Sequence, residues 1–285
     1  MDTRFLETLI TVVEQGSIAA AAREQLLTPA AVSQRIQSLE REFKCKLFSR
    51  AGNTVQPTNS CLMLLQKAKA LVKDTRSLIE TTTDSHLKGT LNVGVNSTSL
   101  TAYIPSTLQY LRTAAPDAKF SITPGNSIDL YQQVIDGDID AAIMMMPFGD
   151  IPKSLQYWIL REEPLAVICH KSVHGTAKKI LSQNPYIRYD PRCWGGKIAE
   201  SYVQAEVITS EPIFDLDSLE IITQLVADNV GVSVIPYWFA LDKFKNDINI
   251  ITIPHKKYQR RIVAISAYHP QQPHLLNLFI DSLRT

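Results

Sequence analysis

Residues 17–40, SIAAAAREQLLTPAAVSQRIQSLE, constrain the fold more than any other stretch, because they encode two short helices meeting at a tight turn. Ser17 is placed to cap the first helix, with Ile18, Ala21, Ala22 and Gln25 at helical spacing behind it. Thr28-Pro29 starts the second, a hydroxyl cap followed by proline where its missing N–H is not needed. Along this helix Val32, Ile36, Leu39 and Phe43 form one apolar stripe. The other face carries Thr28 at its start, then Ala30, Ser33, Gln34, Gln37 and Arg41, and no acid before Glu40. A face that is small first and hydrogen-bonding next can enter a major groove, where Gln pairs with adenine and Ser bonds a phosphate or a base. An ordinary amphipathic helix has the same periodicity, so spacing alone leaves both readings open.

Further motifs decide between them. GSIAAAA, TPAAVSQRIQSLE, and then KLFSR and QPT within residues 46–58 follow in order. Together they resemble the winged helix-turn-helix of LysR-type transcriptional regulators. The resemblance implies that Thr28, Ala30, Ser33, Gln34 and Gln37 face DNA, and that Arg50 contacts it from the wing. Two departures stand out. Gln25 stands where the family usually has leucine, with Leu26 apolar beside it, and Asn59-Ser60-Cys61 replaces the usual Glu-Ala-Gly.

Length suggests about two domains, since 285 residues exceed the usual single core. A net charge of +1 does not by itself argue for nucleic acid. Between residues 35 and 58, however, Arg35, Arg41, Lys44, Lys46 and Arg50 outnumber Glu40 and Glu42. Cys45, Cys61, Cys169 and Cys193 form no C-x-x-C pair and suit a reducing compartment. With no signal peptide pattern and no apolar run of membrane-spanning length, the expected location is cytoplasmic.

The rest of the chain falls into segments. Residues 3–15 form a first helix with Phe5, Leu9, Val12 and Val13 on one side, and residues 46–56 a hairpin, the wing. From 58 to about 87 a long helix repeats Leu64, Leu71 and Leu78, and Leu65, Val72 and Ile79, every seven residues. Seven-residue spacing predicts a helix–helix seam, with Gly89 as its stop. Strands and helices then alternate, as in an open sheet with helices on its faces. The expected fold class is multidomain: an all-α winged helix-turn-helix with a long linker helix, then a two-lobed α/β effector domain of periplasmic-binding-protein type. The expected boundaries are 1–58 for DNA binding, 59–89 for the dimerising linker and 90–285 for the effector domain. Lobe one takes 90–162 and 268–285, and lobe two takes 163–267, with crossovers near 161–164 and 267–269.

Ser97, Thr98 and Ser99 follow the first strand of this domain, and Ser127 begins a later helix. A helix start beyond a strand's C-terminal end suits a carboxylate. Capping by Ser97 or Ser99 is the plain alternative. Met144, Met145 and Met146 follow the third strand, and Met145 is the expected apolar wall. Arg188 and Arg192 are candidate cations on the second lobe. Cys193, beside Arg192, is a candidate redox residue, as is the methionine run. His170 and His174 lack a third ligand, so no metal is expected, and no cofactor motif or hydrolase motif occurs. The resemblance implies a regulator and not an enzyme. Its implied partners are double-stranded DNA, a small carboxylate-bearing or amino-acid-like effector, further copies in a homodimer or homotetramer, and RNA polymerase, with no membrane.

Overall fold

The computed structural model describes residues 2–51, 54–81 and 87–284. The chain forms two compact units, Met1–His86 and Leu87–Thr285. In the first, α1 (Thr3–Gln15) spans the expected residues, and α2 (Ile18–Glu24) and α3 (Pro29–Phe43) start where the caps predict. Asp2, Ser17 and Thr28 accept hydrogen bonds from the N–H groups of Arg4, Ala20 and Ala31. Leu9, Val12, Ala21, Val32 and Leu39 close the core between the three helices. Leu26 turns outward in the left-handed region (φ 55°) and is 92% exposed, so it is not the apolar stand-in beside Gln25 that its position suggests.

The wing is β1 (Phe48–Ala51) paired antiparallel with β2 (Thr54–Pro57). Then α4 (Asn59–Thr81) begins, with Thr58 Oγ1 accepting from Cys61 N at 3.2 Å. Cys61, Ala68 and Val72 are buried against the helices of their own unit, so part of the seven-residue stripe is internal packing. Leu62, Met63 and Leu71 are exposed instead. The side chains of Leu78 and Ile79, and residues 82–86 including His86, lie outside what is described. Gly89 is not the helix stop: it opens a strand, at φ 109°.

The second unit starts with β3 (Gly89–Val95), α5 (Ser97–Ala114), β4 (Ala118–Pro124), α6 (Ser127–Asp136) and β5 (Ala141–Met145). β3 lies between β4 and β5, parallel to both, as the alternation predicts. β6 (Leu155–His170) then runs 16 residues without a break. The second lobe follows as α7 (Ala177–Gln183), β7 (Tyr186–Tyr189), α8 (Trp194–Ala205), β8 (Pro212–Leu216), α9 (Leu219–Ala227), β9 (Ser233–Pro236) and β10 (Ile248–Thr252). β11 (Gln259–Ala267) and α10 (Pro273–Ser282) complete the chain.

β6 belongs to both lobes. Its first part pairs with β11, and its last part with β9 and β10. Residues 262–266 of β11 already pair with β5 of the first lobe. The return crossover therefore lies at 259–261, opposite 162–164, and not at 267–269. The core of lobe one includes Leu91, Val93, Ile143 and, from α10, Leu276 and Phe279. Lobe two has its own, with Leu165, Ile187, Ile222 and Trp238. No helix among the described residues is long and apolar enough to cross a membrane.

Candidate functional site

Two regions carry the residues singled out by the sequence. The first is the polar side of α3. Thr28, Ala30, Gln34 and Gln37 are exposed there, and Ser33 is half-buried. Arg50 lies in β1, and its side chain is outside the described residues. Beside Gln34 and Gln37 a concavity of about 1040 Å³ is lined by Arg35, Arg41, Lys44 and Lys46, with Glu40 as its acid. Glu40 accepts from Lys46 Nζ at 2.8 Å and from Leu47 N at 2.9 Å, tying the end of α3 to the wing. Arg35 turns back and donates to Thr8 Oγ1 at 3.0 Å, which braces α3 against α1.

The second region is a cleft of about 610 Å³ between the lobes. The starts of α5, α6 and α8 converge on it. Each offers N–H groups and the positive end of its dipole. Neither Ser97 nor Ser99 caps α5. Asn96 does, its Oδ1 accepting from Ser99 N at 2.9 Å. Ser97 and Thr98 line the cleft, whereas Ser99 is buried behind it. Ser127 also lines it, with its Oγ accepting from Met145 N at 3.1 Å. Met145 reaches the wall, and Met144 is fully buried in the core.

Arg192 lines the cleft but is not a free cation. Its guanidinium forks onto Asp190, with Nη2 to Oδ2 at 2.6 Å, and this bond holds the Asp190 carboxyl below its usual range. Arg188 is likewise held by Asp215. The Arg192 guanidinium is therefore committed to a carboxylate and not to the neighbouring thiol. Cys193 Sγ caps α8: it accepts from Gly196 N at 3.2 Å and lies 3.0 Å from the Asp190 carbonyl it donates to. Cys61 and Cys169 are poor thiolates, since burial pushes Cys61 up to about 11 and Cys169 upward too. Among the described residues no group of three or more His, Cys, Asp or Glu is arranged to hold a metal.

The pair the sequence does not reveal is Arg260 and Glu163. They face each other across β11 and β6 at the crossover, both almost fully buried. Arg260 Nε donates to Glu163 Oε2 at 2.6 Å. Desolvation opposes the charge on Arg260, but Glu163 opposite it prevails and holds the guanidinium protonated. Arg260 Nη2 also reaches Thr98 Oγ1 at 3.4 Å, and Tyr189 of the second lobe shares the cleft lining with it. It lines the cleft floor. Trp194, which also lines the cleft, meets Tyr131 and Phe148 edge-on, at 6.0 and 6.1 Å between centroids.

Residues 3–61 match the bacterial regulatory helix-turn-helix proteins of the lysR family, and residues 84–285 match the LysR substrate binding domain. The chain belongs to the LysR family. Its members are transcriptional regulators that bind DNA and small-molecule effectors and are often multimeric. A LysR-type chain from Escherichia coli, an uncharacterised HTH-type transcriptional regulator named YfiE, is 29% identical over 273 residues, 94% of this chain and 92% of that one. CzcR of Bacillus cereus, another HTH-type regulator, is 26% identical over 83% of this chain and 80% of its own. Full-length OxyR of Pseudomonas aeruginosa shares the fold with a TM-score of 0.72 at 20% identity, covering 100% of this chain and 95% of that one. For this LysR-type chain that likeness speaks to the fold alone.

Proposed function

We propose that this LysR-type regulator binds a dyad operator in the cytoplasm as a homodimer or homotetramer, through paired winged helices. A small carboxylate-bearing or amino-acid-like effector in the interlobe cleft controls it, with RNA polymerase as a further partner. Thr28, Ala30, Ser33, Gln34 and Gln37 supply the groove-facing surface, and Arg50 the wing contact. The protein acts by binding and not by turnover. The domains divide as a DNA-binding part over 1–58, a linker helix over 59–89 and an effector domain from 90.

One observation carries the effector reading: three helix starts, Ser97, Thr98 and Ser127 among their first residues, converge on one cleft of ligand size. Binding across two lobes joined by β6 and β11 changes their closure, and a change in closure can reset the DNA-binding pairs. The experiment is a genome-wide map of bound DNA with and without candidate metabolites. Gel shifts on the mapped operator follow. No sequence-specific occupancy would remove the regulator reading, and occupancy indifferent to every metabolite would remove the effector.

A redox reading through Cys193 or the Met144–Met146 run has one observation in its favour, the place of Cys193 on the cleft wall. Weighing against it, Sγ is already engaged at the start of α8, and Met144 is sealed from solvent.

A further inference from the structure

We propose that the outer edge of β6 in the first lobe, residues 155–160, pairs antiparallel with the same edge of a second copy of this chain, about a two-fold axis at Tyr157. This names a contact behind the homo-oligomer reading given above and rests on it.

The edge is open. Residues 155–164 of β6 pair with β11 on one side. β9 and β10 join β6 only from Leu165 onward. Among the described residues no other strand flanks the first part of β6, and no loop backbone bonds residues 156–160. Such an edge leaves a row of N–H and C=O groups for another chain, and natural sheets guard it with charge or proline. Here LQYWIL, rich in residues that favour strands, contains neither. The guards stand only at its ends, with Lys153 before it and Arg161, Glu162, Glu163 and Pro164 after it.

Its two faces differ. Trp158 and Leu160 pack on the core of lobe one. Tyr157 and Ile159, on the other face, remain 44% and 49% exposed, although their β11 partners Ile265 and Val263 are fully buried. The core on that side stops short of the outer strand and leaves an apolar strip beside unpaired backbone.

Charge names the occupant. Leu155, Tyr157, Ile159 and Glu162 pair with Ala267, Ile265, Val263 and Arg261, alternate residues of β11, so they share one face. Leu160 is the extra residue of a bulge, and this brings Glu162 into the row. Lys153, exposed two residues ahead of Leu155, extends the row the other way. The row therefore reads cation, aliphatic, aromatic, aliphatic, anion. A second copy turned about Tyr157 sets Leu155 opposite Ile159 and Lys153 opposite Glu162, once on each side of the axis. Glu162 is bonded to Arg261 at 3.1 Å, yet its side chain stays 48% exposed and can accept from a lysine of the second copy. So short a strand pair is small for a stable interface, and it adds to another contact that already holds the chains close.

The test is cross-linking of the full chain at the proposed axis. Directly opposed residues of antiparallel strands have Cα atoms about 4.5–5.5 Å apart, within disulfide reach. In a Cys45→Ser, Cys193→Ser background, Tyr157→Cys oxidised with copper phenanthroline should give a disulfide-linked dimer. Its yield should exceed at least tenfold that of Ile135→Cys, a similarly exposed position on α6. Sedimentation of the chain with its native cysteines reads the charges. Lys153→Glu or Glu162→Lys alone should weaken assembly at least fivefold, and the two together should restore it, a rescue that a merely structural role would not give. No excess cross-link at Tyr157→Cys, or a double variant no better than the single ones, would overturn the proposal. If the wild type still sediments as an oligomer in that case, the edge contact fails while the homo-oligomer reading stands. A wild type that sediments as a monomer removes both.

Discussion

The hydroxyl of Thr8 lies 2.8 Å from the side-chain carbonyl of Gln25, inside the junction of the first three helices. Gln25 Nε2 donates in turn to Thr11 Oγ1 at 2.9 Å, and Arg35 reaches the same Thr8 oxygen from α3. The residue that departs from the family's usual leucine is therefore a connector and not a defect. Gln25→Leu leaves Thr8 and Thr11 bonded to the carbonyls of Arg4 and Glu7, so its cost should stay below about 1 kcal/mol. Thr8→Val strands Gln25 and Arg35 together and should cost about 1–3 kcal/mol. Urea unfolding measures both. Equal stability of Thr8→Val and wild type would reduce the network to a bystander.

On the exposed side of the same helix, Gln34→Ala should relax base preference at one half-site position, by about 1–3 kcal/mol. Arg50→Ala should weaken all sequences more evenly, as a phosphate contact does. Gel-shift titrations against base-substituted operators separate the two. Unchanged preference in Gln34→Ala would take that residue out of the readout.

Glu40 predicts a pH effect. Partial burial favours its neutral form, but Lys46 and the Leu47 N–H outweigh this and hold the carboxyl below its usual range. A carboxylate lowered in the folded state stabilises it above the unfolded value of 4.5, and that contribution fades as pH falls through the folded value. Melting temperatures of wild type and Glu40→Gln should therefore differ near neutrality and converge on acidification. A gap that widens toward low pH would reverse the assignment.

The exposed side of α4 predicts assembly. Leu71 remains 43% exposed and Met63 79%, although Val72 next to Leu71 is buried. Placing Lys at both should disrupt a helix–helix seam by burying unpaired charge. Sedimentation should then find a smaller species than wild type; an unchanged oligomer would place the interface elsewhere.

Cys193→Ser keeps an N-capping oxygen where the sulfur was. The variant should fold, and peroxide should leave its operator affinity and that of the wild type alike. A peroxide response confined to the wild type would favour the redox reading instead.

The helical third of the chain was legible in the sequence because caps and periodicity agree there. Ser17, Thr28 and Pro29 mark starts that the apolar stripe alone leaves loose. β6 was legible only at its end, since Arg161, Glu162, Glu163 and Pro164 break the apolar pattern where the strand passes between lobes. α7 and β10 escaped for want of a long periodic run. At the cleft, Ser97, Thr98, Ser127 and Met145 were read from helix starts and strand ends. Arg260 and Glu163 were not, because 97 residues separate them and only the register of β11 on β6 brings them together. A buried ion pair made by strand pairing leaves no local signature.

That register also sets an order on synthesis. The first lobe needs Leu276 and Phe279 from the last helix to close a core that Leu91 and Val93 begin. The second lobe's core is complete by Tyr258. As the chain leaves the ribosome, the helix-turn-helix unit and then the second lobe can settle, while the three parallel strands of the first wait with an open side. A nascent chain halted before Pro273 should hold protease-resistant second-lobe fragments and a first lobe that is still cut.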